Sequence, residues 1–366
     1  MKIRCSGTEL SDAVSKVSRA LPVKKNNPIL EGIKLVAKGD TLTLFATDLE
    51  LSIEKKINAE VLLEGEIVVP GKLFAEYTKK IEEEEIELDG TIDGKLKICY
   101  LDSEVSLNCY EAEEFPILKE VSNDNSFIIQ KKKFKELINS ISFSVAVEDA
   151  RPSLKGCCFN IDGNILEGVA SDGYRLALCK VPIENKGITE KIVIPVRSLN
   201  EASRLLDDED EAMTVYVEKN YMLIDLFHTK IVTRMITEEY INYERIIPLE
   251  FSTEIKVEKK HFENAIDRVF VISKNEKKCY VRMEIKEDNV YLKAESTVGE
   301  VNEKLPISMK GKDILIAFNA KYIADSMKSI TDQFISFNFT TNTAPGIIKG
   351  ENDNWLYLIL PLRVIG

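Results

Sequence analysis

The stretch that decides the fold is Ile67-Val68-Val69-Pro70, a short apolar run that leads directly into a segment with helical spacing. The run returns as Ile192-Val193-Ile194-Pro195 and again as Ile314-Leu315-Ile316-Ala317, at separations of 125 and 122 residues. Short apolar runs of this kind are typical of buried strands. Recurrence at a nearly fixed period indicates structural repeats. The sequence therefore predicts three copies of one module.

Two other features recur with the same period. An alternating strand followed by an amphipathic helix opens each copy, at residues 2–5, 127–129 and 254–257. A strand that enters a small polar turn comes later, at Thr47-Asp48, Ser171-Asp172 and Ser296-Thr297. Each module then holds two half-units of a strand, a helix and several antiparallel strands, so the fold class is α+β with three similar domains. We expect these domains to cover residues 1–124, 125–251 and 252–366, with boundaries in the polar stretches near Asn123–Asn125 and Glu250–Ser252.

The composition of the 366-residue chain is that of a folded protein. Its hydrophobic residues (44%) and charged residues (30%) argue against extensive disorder. The seven cysteines form no CxxC pair and are expected to be reduced thiols, and neither His228 nor His261 stands near other metal ligands. We therefore expect no metal and no cofactor. Because the chain lacks a long apolar segment and a signal peptide, we also expect it to be cytoplasmic and to contact no membrane.

The second helix of each module carries cations in a repeating pattern. They stand seven residues apart, which is two helical turns, at matching positions in all three copies: Lys72 and Lys79, Arg197 and Arg204, Lys321 and Lys328. Solubility alone also places lysines on helix surfaces, but the recurrence favours a shared function. The net charge of −12 is unusual for a nucleic-acid binder. However, a basic strip on one face is compatible with acidic runs elsewhere, such as Glu82–Glu85 and Asp207–Glu211.

Four motifs, in order along the whole chain, resemble a known family. They are NPIL at residues 27–30, ATDLE at 46–50, SDGYRLA at 171–177 and LPLR at 360–363. Together they resemble the bacterial DNA polymerase III beta subunit, the beta sliding clamp. The resemblance implies a head-to-tail homodimer that forms a ring of six similar domains, with helices inside and antiparallel sheets outside. It also implies a non-enzymatic processivity factor that encircles double-stranded DNA without reading its sequence and tethers the replicative polymerase.

The resemblance also assigns site residues by position. Besides the six helix cations, Lys24 and Arg151 would contact DNA. At the dimer seam Val105 and Leu107 would meet Ile272 of the other subunit, beside Ser273, which stands where some members have a large apolar side chain. The partners implied are the DNA polymerase III alpha subunit, clamp-loader subunits and other proteins with the clamp-binding motif. Their short apolar peptides would enter a pocket formed by Cys158, Ser171, Gly173, Tyr174, Arg175, Leu176, Ile241, Arg245, Ile246, Asn319, Tyr322, Leu358, Leu360, Pro361, Leu362 and Arg363.

Other interpretations remain open from the residues alone. Leu176, Ile246 and Leu360 could be ordinary core between the second and third modules rather than a pocket. The cluster at Ser171, Asp172, Tyr174 and Arg175 could imitate a catalytic site, although no GxSxG, GxxxxGK[ST] or GxGxxG motif accompanies it and no histidine is placed as a base. A scaffold that binds only proteins is a further alternative, which the recurring cations disfavour. Within the family, a divergent paralogue that serves repair or a mobile element is also possible.

Overall fold

The computed structural model describes residues 1–363 apart from 25–26, 83, 93, 118, 123, 208 and 277–278. Asn123, at the first predicted boundary, and Glu83 and Asp208, within the acidic runs, lie outside the described residues, as do the last three residues of the third predicted domain.

Within the described residues, each third of the chain contains nine strands and two α-helices in the same order. The first third comprises β1 (Lys2–Cys5), α1 (Gly7–Val17), β2 (Gly32–Lys38), β3 (Thr41–Thr47), β4 (Leu51–Asn58), β5 (Glu60–Leu63), β6 (Gly65–Pro70), α2 (Gly71–Thr78), β7 (Ile86–Asp89), β8 (Lys95–Tyr100) and β9 (Ser103–Asn108). The second comprises β10 (Ser126–Gln130), α3 (Lys131–Ile141), β11 (Gly156–Asp162), β12 (Ile165–Ser171), β13 (Arg175–Pro182), β14 (Glu184–Asn185), β15 (Glu190–Pro195), α4 (Val196–Leu205), β16 (Ala212–Glu218), β17 (Tyr221–Asp225) and β18 (Thr229–Arg234). The last comprises β19 (Thr253–Glu258), α5 (Lys259–Ser273), β20 (Tyr280–Lys286), β21 (Asn289–Ser296), β22 (Gly299–Pro306), β23 (Ser308–Gly311), β24 (Ile314–Asn319), α6 (Ala320–Ser329), β25 (Phe334–Phe339), β26 (Gly346–Lys349) and β27 (Trp355–Ile359).

Local sequence explains where the helices begin. The Ser6 side chain accepts a hydrogen bond from the backbone N–H of Glu9 at 3.3 Å, which satisfies a donor that the first turn of α1 leaves unpaired. Asn319 caps α6 in the same way by accepting from the N–H of Lys321 at 2.9 Å. Pro70 ends β6 and immediately precedes α2. Proline has no backbone N–H, so it leaves no donor without a partner where the strand ends. Each helix then buries one apolar face, as Phe74 does in α2.

The strands of each third pair in the same order. Counted within a third, five strands follow the order 5-1-7-8-9 and the other four follow the order 4-3-2-6. The strand pairs within each group are antiparallel. The four-stranded group has two hairpins and one pairing between distant strands (2 with 6), and the five-stranded group has two hairpins and two such pairings (1 with 5 and 1 with 7). The α+β class and the threefold repetition predicted from the sequence are therefore confirmed.

The chain divides into two compact units. Unit 1 comprises Met1–Lys131, Glu184–Ile188 and Arg197–Met235. It holds the five-stranded sheet β5-β1-β7-β8-β9 and the nine-stranded sheet β14-β10-β16-β17-β18-β4-β3-β2-β6. In the larger sheet β18 of the second third pairs with β4 of the first, which sets Ile231 opposite Ile53, and both side chains are buried.

Unit 2 comprises Lys132–Ile183, Thr189–Val196 and the residues from Ile236 onward. Its nine-stranded sheet has the order β15-β11-β12-β13-β27-β26-β25-β19-β23, and its four-stranded sheet has the order β22-β21-β20-β24. Here β13 of the second third pairs with β27 of the last, with Leu176 opposite Leu358. The two units follow these sheets, so the domain boundaries at 124/125 and 251/252 remain a prediction.

The three polar turns adopt closely related hydrogen-bonding patterns. Ser171 donates its hydroxyl to the carbonyl of Arg175 at 2.8 Å and accepts from the N–H of Gly173 at 3.1 Å. Thr47 makes the same two bonds in the first third, at 3.2 and 3.0 Å, and Ser296 makes a shorter version in the last. The residue after the Asp is left-handed in the first two copies, Leu49 at φ 76° and Gly173 at φ 87°, which suits glycine best. The turn is thus a property of the module.

Candidate functional sites

The predicted helix cations are mostly exposed. In unit 1, Lys72 on α2 and Arg204 on α4 face solvent, and Lys79 is exposed one residue after α2 ends. In unit 2, Lys321 and Lys328 on α6 are exposed as well. Each helix packs its other side into the core, so the cations of a pair lie on the solvent side of the helix as expected.

Arg197 differs from the other five helix cations. Its guanidinium forms an ion pair with Asp48, in the polar turn of the first third, and donates a second hydrogen bond to the carbonyl oxygen of Leu21 at 3.3 Å. Both acceptors belong to the first third, so Arg197 fixes α4 against the β3–β4 turn within unit 1. Its charge is partly compensated in this structure, unlike that of an isolated surface lysine.

The two loop cations predicted by resemblance have different surroundings. Lys24 is exposed. Arg151 is exposed too, but its guanidinium is held by both carboxylate oxygens of Asp149, at 3.0 and 3.1 Å, and this pairing lowers the pKa of Asp149 to about 2. A Cβ placed on Gly173 would lie 3.3 Å from Nη2 of Arg151. Arg151 therefore borders the polar turn of the predicted partner pocket.

Arg175 organises the predicted pocket. Its buried guanidinium donates to Asp172 at 3.0 Å, to Asp325 on α6 at 3.0 Å and to the carbonyl of Phe143 at 2.7 Å. The group also lies over the ring of Tyr322, with 4.5 Å from Cζ to the ring centre. Such a fork of charge-assisted bonds is geometrically specific. Arg175 thus joins the polar turn of the second third to α6 of the last.

Three residues predicted to line the pocket are core instead. Cys158, Leu176 and Leu358 are at most 2% exposed and belong to a cluster with Val169, Tyr243 and other buried residues. They point inward because they occupy inward positions on paired strands, as the register of Leu176 with Leu358 shows. For Leu176, core was therefore the better of the two interpretations. The three side chains belong to the buried cluster on which the exposed residues of the site pack.

The other predicted pocket residues surround this cluster. Tyr174 (62% exposed), Ile246 (45%) and Leu360 (39%) present apolar surface to solvent. Leu360 is fixed through its N–H to the Tyr174 carbonyl at 2.9 Å, and Leu362 through its N–H to the Ala317 carbonyl at 2.8 Å. Ser171 is buried in the turn, Gly173, Arg245 and Arg363 are exposed, and the half-buried members are Ile241, Asn319, Tyr322, Pro361 and Leu362.

Sequence reasoning missed several residues of this site. Asp325 and the carbonyl of Phe143 hold Arg175, and they are distant from it in sequence, so no local pattern signals them. Val147 and Leu249 are more than 90% exposed on loops whose neighbouring residues pack on the core cluster. Each of the two ends a short apolar run in a loop, Val145–Val147 and Ile246–Leu249, and these runs were the available signal.

The predicted seam residues lie on two different units. In unit 1, β9 is an edge strand on which Leu107 is buried and Val105 is half-buried. In unit 2, Ile272 is half-buried near the end of α5. Ser273 is 1% exposed and donates its hydroxyl to the carbonyl of Val269 at 3.0 Å, so its side chain packs inside unit 2 rather than on its surface. Its small side chain is accommodated inside the helix packing.

Two general properties follow from the described residues. All seven cysteines are free thiols, and desolvation raises the pKa of Cys5 and Cys158 to about 12. Across the described part of the chain, His, Cys, Asp and Glu side chains nowhere come together in threes with metal-binding geometry, and none of the helices is long and apolar enough to cross a membrane.

Comparison with known proteins matches all three thirds of the chain. Family models for the N-terminal, central and C-terminal domains of the DNA polymerase III beta subunit match residues 1–119, 128–242 and 244–363. The beta sliding clamp of Halalkalibacterium halodurans is 32% identical over 365 residues, which cover 96% of each chain. The chain belongs to the beta sliding clamp family. It is therefore a DNA sliding clamp of replication, a processivity factor rather than a catalyst.

Solved clamp structures agree with this assignment. The sliding clamp of Bacillus subtilis superposes with a TM-score of 0.97 at 28% identity, covering 100% of this chain and 99% of that one. The beta subunit of Thermotoga maritima superposes with a TM-score of 0.92 at 29% identity, covering 99% of both chains. The catalytic alternative for the Ser171–Arg175 turn is thereby removed, and Arg175 of this clamp is a structural organiser.

Proposed function

We propose that this clamp encircles duplex DNA and that the cations of α2, α4 and α6 approach its phosphates. The observation that carries the proposal is the recurrence of two cations at equivalent positions on these three helices, in a chain whose net charge is −12. Phosphate contacts of this kind attract DNA without reading its sequence. The DNA-contacting set is Lys24, Lys72, Lys79, Arg151, Arg197, Arg204, Lys321 and Lys328.

The three arginines of this set are ion-paired in the free protein. Arg151 is paired with Asp149, Arg197 with Asp48 and Arg204 with Glu201. Each reaches a phosphate only by exchanging its carboxylate for the DNA. Within the part of the chain that the structure describes, Lys72, Lys79 and Lys321 form no ion pair, whereas Nζ of Lys328 lies 3.7 Å from Asp325. We therefore expect Lys72 and Lys321 to contribute more to DNA retention than Arg151.

The test is a charge reversal on the three helices. A variant with Lys72→Glu, Arg197→Glu and Lys321→Glu should load poorly on nicked circular DNA and leave it quickly, measured by gel filtration of labelled clamp after loading. The matched control reverses three exposed lysines, one in each third, and changes the net charge equally: Lys38, Lys186 and Lys310. Equal retention of the two triple variants would refute the encircling proposal.

We further propose a head-to-tail homodimer. A pairing between equivalent strands occurs twice within the chain, and the third pairing of this kind could form only between two copies. Within the units, β4 pairs with β18, and β13 pairs with β27. Each strand of the second pair lies nine strands after its equivalent in the first pair. The next step joins β22 to β9 of a second copy, and both are edge strands. An equivalent register between β22 and β9 would set Val301 opposite the partner's Val105. An isologous pairing would not continue the series, so the contact is head-to-tail.

The molar mass of the clamp in solution tests whether it is a dimer. The intact clamp should have twice the 41.4 kDa mass of one chain by light scattering. Ile272→Glu, placed near this seam by resemblance, should shift the population to the monomer. Ile165→Glu, on the internal strand β12, is the control because Ile165 lies at the surface but borders no sheet edge. A wild-type monomer at micromolar concentration would contradict the proposal.

We also propose that Tyr174, Ile246 and Leu360 form the entrance of a peptide pocket supported by Arg175 and the core cluster. An apolar surface edged by Arg and Tyr suits a short segment with aliphatic anchors. The remaining predicted members, from Cys158 to Arg363, either support this surface or form its rim. Through it the clamp would hold the DNA polymerase III alpha subunit, clamp-loader subunits and other motif-bearing proteins, in the cytoplasm.

A further inference from the structure

A chain segment covers the outer face of the four-stranded group in the first third, the face turned away from the helices. The N–H of Tyr110 bonds to the carbonyl of Val68 on β6 at 2.8 Å. Phe115 then packs on Phe45 of β3, with 5.5 Å between the ring centres, and the two rings are buried in one cluster with Val68. The covering segment therefore runs across the strands rather than along them.

The second third has an equivalent covering segment. The N–H of Ile236 bonds to the carbonyl of Val193 on β15 at 2.8 Å. Tyr243 follows in the same segment, is buried in one cluster with Val193, and donates its hydroxyl to Glu167 on β12 at 2.5 Å. Because β15 and β12 correspond to β6 and β3, the path across the sheet is the same in both thirds.

The last third begins this path but leaves the outer face open in the described part of the chain. The N–H of Leu362 bonds to the carbonyl of Ala317 on β24 at 2.8 Å, which matches the first bond of the two covering segments. Beyond Leu362 the described residues comprise only Arg363. Strand register shows what lies ahead on this path, because Arg282 of β20 stands opposite both Ala317 and Lys293 of β21.

The open face is cationic where the covered faces are apolar. Lys293 holds the position that the buried Phe45 and Val169 hold in the first two thirds, at a spacing of 124 residues. Three amino groups lie 5.5 to 5.7 Å from the ring centre of Tyr291 on the same face, those of Lys286, Lys293 and Lys304. These three lysines and Arg282 form a cationic stripe across β20, β21 and β22.

One carboxylate compensates part of the cationic stripe. Glu284 pairs with Lys286 at 2.6 Å and with Lys293 at 2.9 Å, and hydrogen bonds from these two amines lower the pKa of Glu284 to about 2. Among the residues that the structure describes, Lys304 forms no ion pair, and the buried Nε of Arg282 donates to no acceptor. A buried donor of this kind is destabilising until an acceptor reaches it. The stripe therefore retains positive charge for a ligand.

The other acidic groups of this face lie at the ends of the strands. Glu295 stands opposite Glu300, two positions beyond Lys293 along β21, and Glu287 lies in the β20–β21 turn. The middle of the face instead offers Leu315 of β24, which is 46% exposed. The favourable direction for an acidic ligand is therefore across the strands, as in the covering segments.

We propose that this outer face binds an extended acidic segment of a partner protein, with carboxylates on Arg282, Lys293 and Lys304. Clusters of arginine and lysine bind acidic segments through charge-assisted hydrogen bonds. A peptide suits the face better than a nucleic acid, because peptide segments follow this path in the other two thirds and Leu315 can pack against an apolar side chain. None of the stripe residues belongs to the proposed pocket at Tyr174, so the clamp would hold partners at two different surfaces.

The test uses a fluorescein-labelled peptide with the sequence of residues 110–117, the acidic covering segment of the first third. Its fluorescence polarisation should rise saturably with the intact clamp. A peptide with glutamine at the three glutamate positions should bind about tenfold more weakly, as expected for the loss of three surface ion pairs.

Paired variants place the charge requirement on the stripe. The double variant Lys286→Gln, Lys304→Gln should bind the acidic peptide several-fold more weakly. The matched control is Lys38→Gln with Lys56→Gln, which removes the same charge at the equivalent positions of the covered first third and should bind like the wild type. These lysines lie at the surface, and the urea midpoints of the variants verify that folding is intact.

Location and specificity provide the remaining outcomes. A carbodiimide should couple the peptide carboxylates to Lys293 or Lys304, as mapped by mass spectrometry. Leu360→Asp, a substitution in the proposed pocket, should leave binding of the acidic peptide intact. The proposal is overturned if the control variant loses as much affinity as the stripe variant, if the cross-links lie elsewhere, if Leu360→Asp abolishes binding, or if a ten-residue oligodeoxythymidylate displaces the peptide at equal charge concentration.

Discussion

Replacement of Arg175 by alanine should cost unit 2 much of its stability. The guanidinium makes three hydrogen bonds at 2.7 to 3.0 Å, and its side chain is 9% exposed. Its partners Asp172 and Asp325 are 14% and 20% exposed, so solvent cannot replace the lost donor well. Removing one partner of such a buried network costs about 3–5 kcal/mol, because the remaining charges stay desolvated. We take about 4 kcal/mol as the expected loss.

The assay follows Trp355 fluorescence in urea. Trp355 lies opposite Cys179 on the strand pair that also holds Arg175, so it reports on this part of unit 2. A local probe is needed because a chain of two units need not unfold in one step. With a urea dependence of about 2 kcal/mol/M, a loss of about 4 kcal/mol lowers the midpoint by about 2 M.

The controls separate the network from charge in general. Arg151→Ala removes an exposed arginine from the same unit and should leave the midpoint unchanged. Arg175→Lys keeps the charge but loses the planar fork, so it should fall between the wild type and the alanine variant. If Arg175→Ala lowers the midpoint no more than Arg151→Ala does, the organising role assigned to Arg175 is wrong.

Three other outcomes are expected. Burial raises the pKa of the Cys158 thiol to about 12, so iodoacetamide at pH 8 should leave Cys158 unmodified in the native clamp and label it in urea. Mass spectrometry maps the label, and rapid labelling of the native clamp would contradict the buried position. The Thr91 hydroxyl and N–H hold the pKa of Asp89 at about 2, below its ordinary 3.8, so the stabilisation is present above pH 4 and lost as the pH falls toward 2. Thr91→Val should therefore move acid unfolding of unit 1, followed by circular dichroism, to higher pH, and an unchanged midpoint would exclude this linkage. Leu360→Asp should abolish binding of a short peptide with aliphatic anchors in calorimetry while Ile165→Asp retains it, and undiminished binding by Leu360→Asp would remove Leu360 from the pocket.

The module was readable from the sequence because its signals are local. Runs such as Ile67–Pro70 combine β-forming residues with a following helical pattern, and both features depend on neighbours a few residues apart. Repetition then supplied three independent readings of each element, which the matching strand orders confirm. The polar turn at Ser171-Asp172 was likewise visible, because its hydrogen bonds join residues within four positions.

The pocket was only partly readable. Sequence resemblance named Cys158, Leu176 and Leu358 beside Tyr174 and Leu360, but it could not separate those that face solvent from those that face the core. That distinction depends on strand register, and a shift of one residue reverses every side chain. The register is set by pairing between β13 and β27, which are far apart in the sequence.

The amino-acid sequence by itself determined the α+β modules, their number, their turns and the equivalent positions of the helix cations, because each depends on periodicity within one segment. Only the tertiary structure decided that Asp48 partly compensates the charge of Arg197, that Ser273 is buried, and that Arg175 reaches Asp325. These are contacts between segments separated by tens to hundreds of residues. Their free energies depend on distance and desolvation, which the order of residues along the chain does not specify.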